Sequence, residues 1–161
     1  MEIEMKIRGL MMDPATNMPI VILKDTNGST ILPIWVGIYE ANAIALEIEK
    51  VCTPRPMTHD LMKTLLMGLE AQVRKIVVSE LRDDTFYALI WLEKNGEWIT
   101  VDSRPSDALA LALRTDCPIY VEDSLLKSAK GVSAVSDRVN SEEWRRYLEN
   151  LNDEDLGRYK M

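Results

Sequence analysis

Two related motifs fix where this chain turns from extended segments into helices. Arg55-Pro56-Met57-Thr58-His59-Asp60-Leu61 opens one apolar helical run, and Asp102-Ser103-Arg104-Pro105-Ser106-Asp107-Ala108-Leu109 opens another. Proline is tolerated in a first helical turn, where the N–H it lacks would have had no intrahelical acceptor. The hydroxyls of Thr58 and of Ser103 or Ser106 can cap the free N–H groups there. An acid in the first turn is favoured by the helix dipole. Capping explains the prolines, hydroxyls and acids. It leaves open the arginines, and why a core-bound helix gathers so many polar groups at its mouth.

The periodicities between these motifs set the fold class. Residues 2–12 alternate, with Ile3, Met5 and Ile7 on one face, and read as a strand. Turn signals at 13–17 and 25–29, the second holding Asn27-Gly28, separate two further strands at 19–24 and 30–36. The first quarter is therefore a three-stranded meander. A helix is predicted over 38–51 and a second from Thr58, where Leu61, Leu65 and Leu69 form an i, i+4 stripe expected to face the core. Strands follow at 72–81, 85–92 and 98–101, the last two joined through Asn95-Gly96. The run Ala108-Leu109-Ala110-Leu111-Ala112-Leu113 is apolar nearly all round, so its helix, 104–114, should be buried on most sides. A short strand at 118–121 completes the set. Strands, two helices, strands, one helix and a strand make an α+β pattern with mixed or antiparallel sheet pairing, without strict βαβ alternation. No GxGxxG or GxxxxGK[ST] is present, so no phosphate-cradling glycine loop is expected.

A chain of 161 residues suits one compact domain, placed at 1–126, with a C-terminal helical tail at 127–161 in which 141–148 reads as a serine-capped helix. No apolar stretch approaches the ~20 residues that span a bilayer, and the first residues lack a signal-peptide core, so the expectation is a cytoplasmic protein with no membrane partner. Cys52 and Cys117 form no CxxC pair and are expected as free thiols. The net charge of −7 argues against a protein that wraps nucleic acid along a basic stripe. It leaves room for nucleic acid as a transient substrate at a local patch.

Three segments together resemble the bifunctional nuclease domain family. They are Leu32-Pro33-Ile34-Trp35-Val36-Gly37-Ile38-Tyr39-Glu40-Ala41 and the two helix-opening motifs, the last running on to Arg114 and Cys117-Pro118-Ile119-Tyr120-Val121. The likeness covers roughly residues 5–126. It implies a compact α+β domain that self-associates, a homodimer being the expectation, with weak nuclease activity on DNA and RNA.

The chemistry itself is argued from the polar groups inside these segments. Metal-assisted phosphodiester hydrolysis needs carboxylates to hold Mg²⁺ or Mn²⁺ and a group that orients or deprotonates water. The candidate metal ligands are Glu40, Asp60, Asp102 and Asp107. His59, the single histidine, is a candidate base beside Asp60, Asp102 and Asp107, and Arg55, Arg104 and Ser106 are candidates for holding phosphate. The competing reading is structural. Asp60 and Asp107 then cap their helices, the arginines lock the loops by ion pairing, and the chain is a non-catalytic regulatory or scaffold domain. Carboxylates gathered in an open cleft would favour hydrolysis; carboxylates each paired with an arginine or a helix N-terminus would favour the scaffold. Trp35, Trp91, Trp98 and Trp144, and the methionines Met57, Met62 and Met67, are expected to pack in the core or an interface.

Overall fold

Alternation along β1 (Glu2–Met12) buries Met5 while Glu4 and Lys6 face water. β2 (Pro19–Asp25) has its first five residues buried, and β3 (Ile31–Trp35) pairs back on it, giving the expected antiparallel meander. The computed structural model describes residues 1–128. After β3 come α1 (Ile38–Ile48) and α2 (Thr58–Gly68), then β4 (Gln72–Arg82), β5 (Thr85–Lys94) and β6 (Glu97–Ser103). α3 (Pro105–Thr115), β7 (Ile119–Glu122) and the short α4 (Asp123–Ser128) follow. The strands form one seven-stranded sheet in the order β3-β2-β1-β7-β4-β5-β6. Every neighbouring pair is antiparallel except β4 with β7, so the sheet is mixed and the α+β expectation holds.

The β5–β6 hairpin turns at Asn95 and Gly96, both with positive φ, which is the conformation that favours Asn-Gly in a tight hairpin. α1 ends three residues before the expected 51, where Lys50 turns to a positive φ of 55°. α3 lies at the centre of the helix layer. Its Ala108 to Ala112 are at most 1% exposed and share one core with Ile76, Val78, Ala88 and Ile90 of the sheet and Ile44 of α1. A smaller cluster of Met11, Ile20 and Ile22, with Trp35 packed on it, forms a second apolar group.

Several local expectations are corrected. Leu61, Leu65 and Leu69 do not face the core: they are 51%, 57% and 60% exposed, and the next stripe round the helix, Met62 and Leu66, packs inward instead. Met67 is exposed as well. No hydroxyl caps α2 or α3; their N-cap residues are Met57 and Arg104. Cys52 and Cys117 are free thiols, Cys117 half-buried, and burial pushes its thiol upward in pKa. α4 runs across the expected domain boundary at 126–127, and the helix expected at 141–148 lies outside the described residues. No helix among the described residues is long and apolar enough to cross a membrane.

Candidate functional site

The N-termini of the three long helices meet through their charged side chains. Arg104, the N-cap residue of α3, donates from Nε to Asp107 Oδ2 at 2.8 Å and reaches Glu40 Oε1 in the first turn of α1 at 2.9 Å. The other oxygen of Asp107 lies 2.9 Å from Nε2 of His59, in the first turn of α2. Glu40, Arg104, Asp107 and His59 thus form one continuous polar chain. From Arg104 inward it grades from water to core: the side chains are 66% exposed at Arg104, 24% at Asp107 and 9% at His59. Gly37 before α1 leaves room for Glu40, whose carboxylate occupies the space a Cβ there would fill.

Electrostatics keep Asp107 ionised. Burial alone would raise the Asp107 pKa, but the hydrogen bonds from His59 and Arg104 and their charges outweigh it and hold the carboxyl below its ordinary range. Asp107 in turn, helped by Glu40, raises the guanidinium pKa of Arg104. A carboxylate that is ionised at neutral pH can only accept, so His59 donates from Nε2, and its neutral form carries its lone pair on Nδ1.

Asp60 stands next to His59 but belongs to a different set of contacts. Its Oδ2 accepts the N–H of Met57 at 2.9 Å, closing the first turn of α2. Its Oδ1 accepts from Arg114 Nε at 2.7 Å. Arg114 is 4% exposed and also donates to the carbonyls of Ala110 at 2.9 Å and Ala43 at 3.0 Å, so one guanidinium ties α1, α2 and α3 together. Burial opposes ionisation of Asp60, and the Met57 N–H and Arg114 overcome it, holding its pKa low. Arg114 was not among the candidates. The available signal was an arginine closing a helix that is otherwise apolar on all sides.

The remaining candidates do not join the chain. Asp102 lies on β6 opposite Leu89, whereas its neighbour Ser103 lies opposite the core residue Ala88. Alternation therefore sends Asp102 to the face of the sheet away from the helices, where it is exposed. Ser106 is buried within the first turn of α3. Arg55 is exposed in the loop before α2 and forms no ion pair among the described residues, with Thr53 Oγ1 donating to its carbonyl at 2.7 Å. No group of three or more His, Cys, Asp or Glu side chains among the described residues is placed to hold a metal ion. On the far sheet face, Trp91 and Trp98 meet edge to face with centroids 6.1 Å apart, and Lys75 sits 5.0 Å from the Trp91 ring. That lysine, the cation over the Trp91 ring, is already paired with Glu2 at 2.8 Å.

A model of the bifunctional nuclease domain family matches residues 21–133. An uncharacterized protein of Mycobacterium tuberculosis is 41% identical over 126 residues, covering 78% of this chain and 75% of that protein. Bifunctional nuclease 2 of Oryza sativa subsp. japonica is 32% identical over 114 residues, covering 68% of this chain and 35% of that protein. Bifunctional nuclease 1 of Arabidopsis thaliana is 29% identical over 114 residues, with the same 68% and 35%. The chain thus spans about a third of the plant proteins it matches.

Proposed function

This chain belongs to the bifunctional nuclease domain family, and on that premise we propose that it hydrolyses phosphodiester bonds of DNA and RNA at the mouth formed by α1, α2 and α3. The observation that carries the reading is the polar chain from exposed Arg104 through Asp107 to buried His59. Arg104, ion-paired to Asp107 through Nε and to Glu40 through Nη1, is still 66% exposed and offers its outer face to a phosphate. Arg55, which forms no ion pair among the described residues, is a second clamp in the loop that leads into α2. Asp107 fixes the tautomer and orientation of His59, whose Nδ1 is the proton acceptor for an attacking water. Asp60 acts through the fold, and Asp102 takes no part. In the same reading the protein is a cytoplasmic homodimer that meets nucleic acid transiently.

A divalent cation was expected from the chemistry of the motif carboxylates. The donor set does not fit a resident ion: Glu40 and Asp107 are bridged by Arg104, Asp60 is held by Arg114, and Asp102 is on the other face. No step is therefore routed through a metal. These same pairings favour the second reading, a regulatory or scaffold domain in which the motifs lock the helices together.

Cleavage of labelled single- and double-stranded DNA and RNA decides between the two. Purified wild type, Arg104→Ala and Asp107→Asn would be compared with Mg²⁺, with Mn²⁺ and with EDTA. Activity lost in both folded variants supports hydrolysis at this mouth. Activity equal in all three comes from elsewhere, and no activity in the wild type leaves the scaffold reading standing. The EDTA arm reports separately on the cation.

A further inference from the structure

Among the described residues the sheet ends in two edge strands, β3 and β6, and they are built differently. β3 has five residues and carries Pro33, which has no N–H to offer a further strand. β6 has seven residues, no proline and no lysine, and pairs with β5 without a bulge from Lys94↔Glu97 to Ala88↔Ser103. Of the usual devices that keep an edge strand from pairing it carries only two carboxylates, Glu97 and Asp102, near its ends. All of residues 97–102 are exposed, including Trp98 at 58%. Ile99 and Val101 lie opposite the core residues Leu92 and Ile90, on the helix side, yet are 42% and 41% exposed. The helix layer of the described residues therefore stops short of β6.

We propose that β6 pairs antiparallel with β6 of a second copy of this chain, joining the two sheets into one. This rests on the self-association in the reading above and names its surface. The self-complementarity of the strand selects the partner. Full overlap of two antiparallel seven-residue copies places Thr100 opposite itself on the two-fold axis. Ile99 then meets the partner's Val101 on the helix side, covering the apolar pair that the helices leave bare. Glu97 falls opposite Ser103 and Asp102 opposite Trp98, so no like charges face each other. A parallel, in-register pairing would stack Glu97 on Glu97 and Asp102 on Asp102.

The test combines sedimentation velocity with disulfide trapping in a Cys52→Ser background, which removes the exposed native thiol. Directly opposed antiparallel residues have Cα atoms about 4.5–5.5 Å apart, within disulfide range. Thr100→Cys is therefore expected to give a covalent dimer on mild oxidation. Glu97→Cys is expected to stay single on the same gel, because its two copies lie on the order of 20 Å apart. Val101→Lys, at an exposed position, is expected to weaken association at least tenfold with an unchanged circular dichroism spectrum. A wild-type dimer in which Thr100→Cys does not cross-link and Val101→Lys does not dissociate overturns this interface and leaves self-association standing. A monomeric wild type overturns both. Neither result bears on phosphodiester cleavage, which the assay above reads independently.

Discussion

Arg114 and Asp60, 54 residues apart in the chain, are joined by a 2.7 Å hydrogen bond between a guanidinium and a carboxylate where three helices meet. The guanidinium is almost wholly removed from water, and its remaining donors reach main-chain oxygens of α1 and α3. Breaking a buried pair by removing one partner strands the other, at about 3–5 kcal/mol. Asp60 keeps about a third of its surface, so the lower end applies. Arg114→Met, which preserves much of the volume, is expected to cost about 3 kcal/mol in urea unfolding. Asp60→Asn, which keeps an acceptor for Arg114, is expected to cost nearer 1 kcal/mol. A loss of under about 1 kcal/mol for Arg114→Met would mean the three helices are held by apolar packing alone.

Acid should unfold the domain through the same groups. Asp60 and Asp107 both titrate below the ordinary value of 3.8, Asp60 through the Met57 N–H and Arg114 against its burial, Asp107 through His59 and Arg104 against its own. Each folded pKa lies below the unfolded one, so each carboxylate contributes stability that is present in full above the unfolded value. That stability is lost as pH falls from there through the folded value. The urea midpoint of the wild type should be level near neutrality and fall below about pH 4. Asp60→Asn should start lower at neutral pH and fall less steeply. Parallel acid limbs in the two proteins would show that other carboxylates govern the transition.

The expectations that held and those that failed separate by the range of the information they needed. The Asn95-Gly96 turn, the meander of β1 to β3 and the buried run of α3 are local patterns, and each formed as expected because the pattern and the backbone preference agree. The polar chain was half legible. Both helix mouths were evident from proline and first-turn acid, but their convergence depends on how α2 packs on α3, which no local spacing encodes. Asp102 and Asp107 sit five residues apart in one motif, yet the strand-to-helix boundary between them sends them to different faces. Arg114 was hidden for a related reason: a charge becomes a hub only once Asp60 and Ala43 are brought to it.

The leucines of α2 make the same point in measurable form. Periodicity identifies a stripe of Leu61, Leu65 and Leu69 but cannot say which side of the helix meets the sheet. Leu65 is 57% exposed, while Leu66 packs against the core. Leu66→Ala is expected to cost about 2 kcal/mol, and Leu65→Ala under about 0.5 kcal/mol, as at other exposed positions. Thermal or urea unfolding of the two variants at protein concentrations that keep the association state constant checks the orientation of α2 directly. Equal costs would mean that the helix is rolled about its axis relative to the arrangement described.

Kinetics should divide the motif carboxylates as the geometry does. Asp107→Asn keeps the shape of the side chain but removes the charge that orients His59, and in the proposed reaction His59→Gln removes the proton acceptor. Each is expected to lower kcat about 10²–10⁴-fold with little change in KM, the range for loss of a positioned proton-transfer group. Under the same proposal Arg104→Ala removes charge from the phosphate-binding side of the mouth, and is expected to cost on the order of 10²–10³ in kcat/KM. Asp102→Asn should leave both constants within about a factor of two, since the carboxylate projects from the opposite face of the sheet. Steady-state cleavage of one labelled oligonucleotide by all four variants is sufficient. Abolition by Asp102→Asn with normal rates for Asp107→Asn would move the chemistry to the helix-free face. In that event Arg104 and His59 would be retained as parts of the lock between helices.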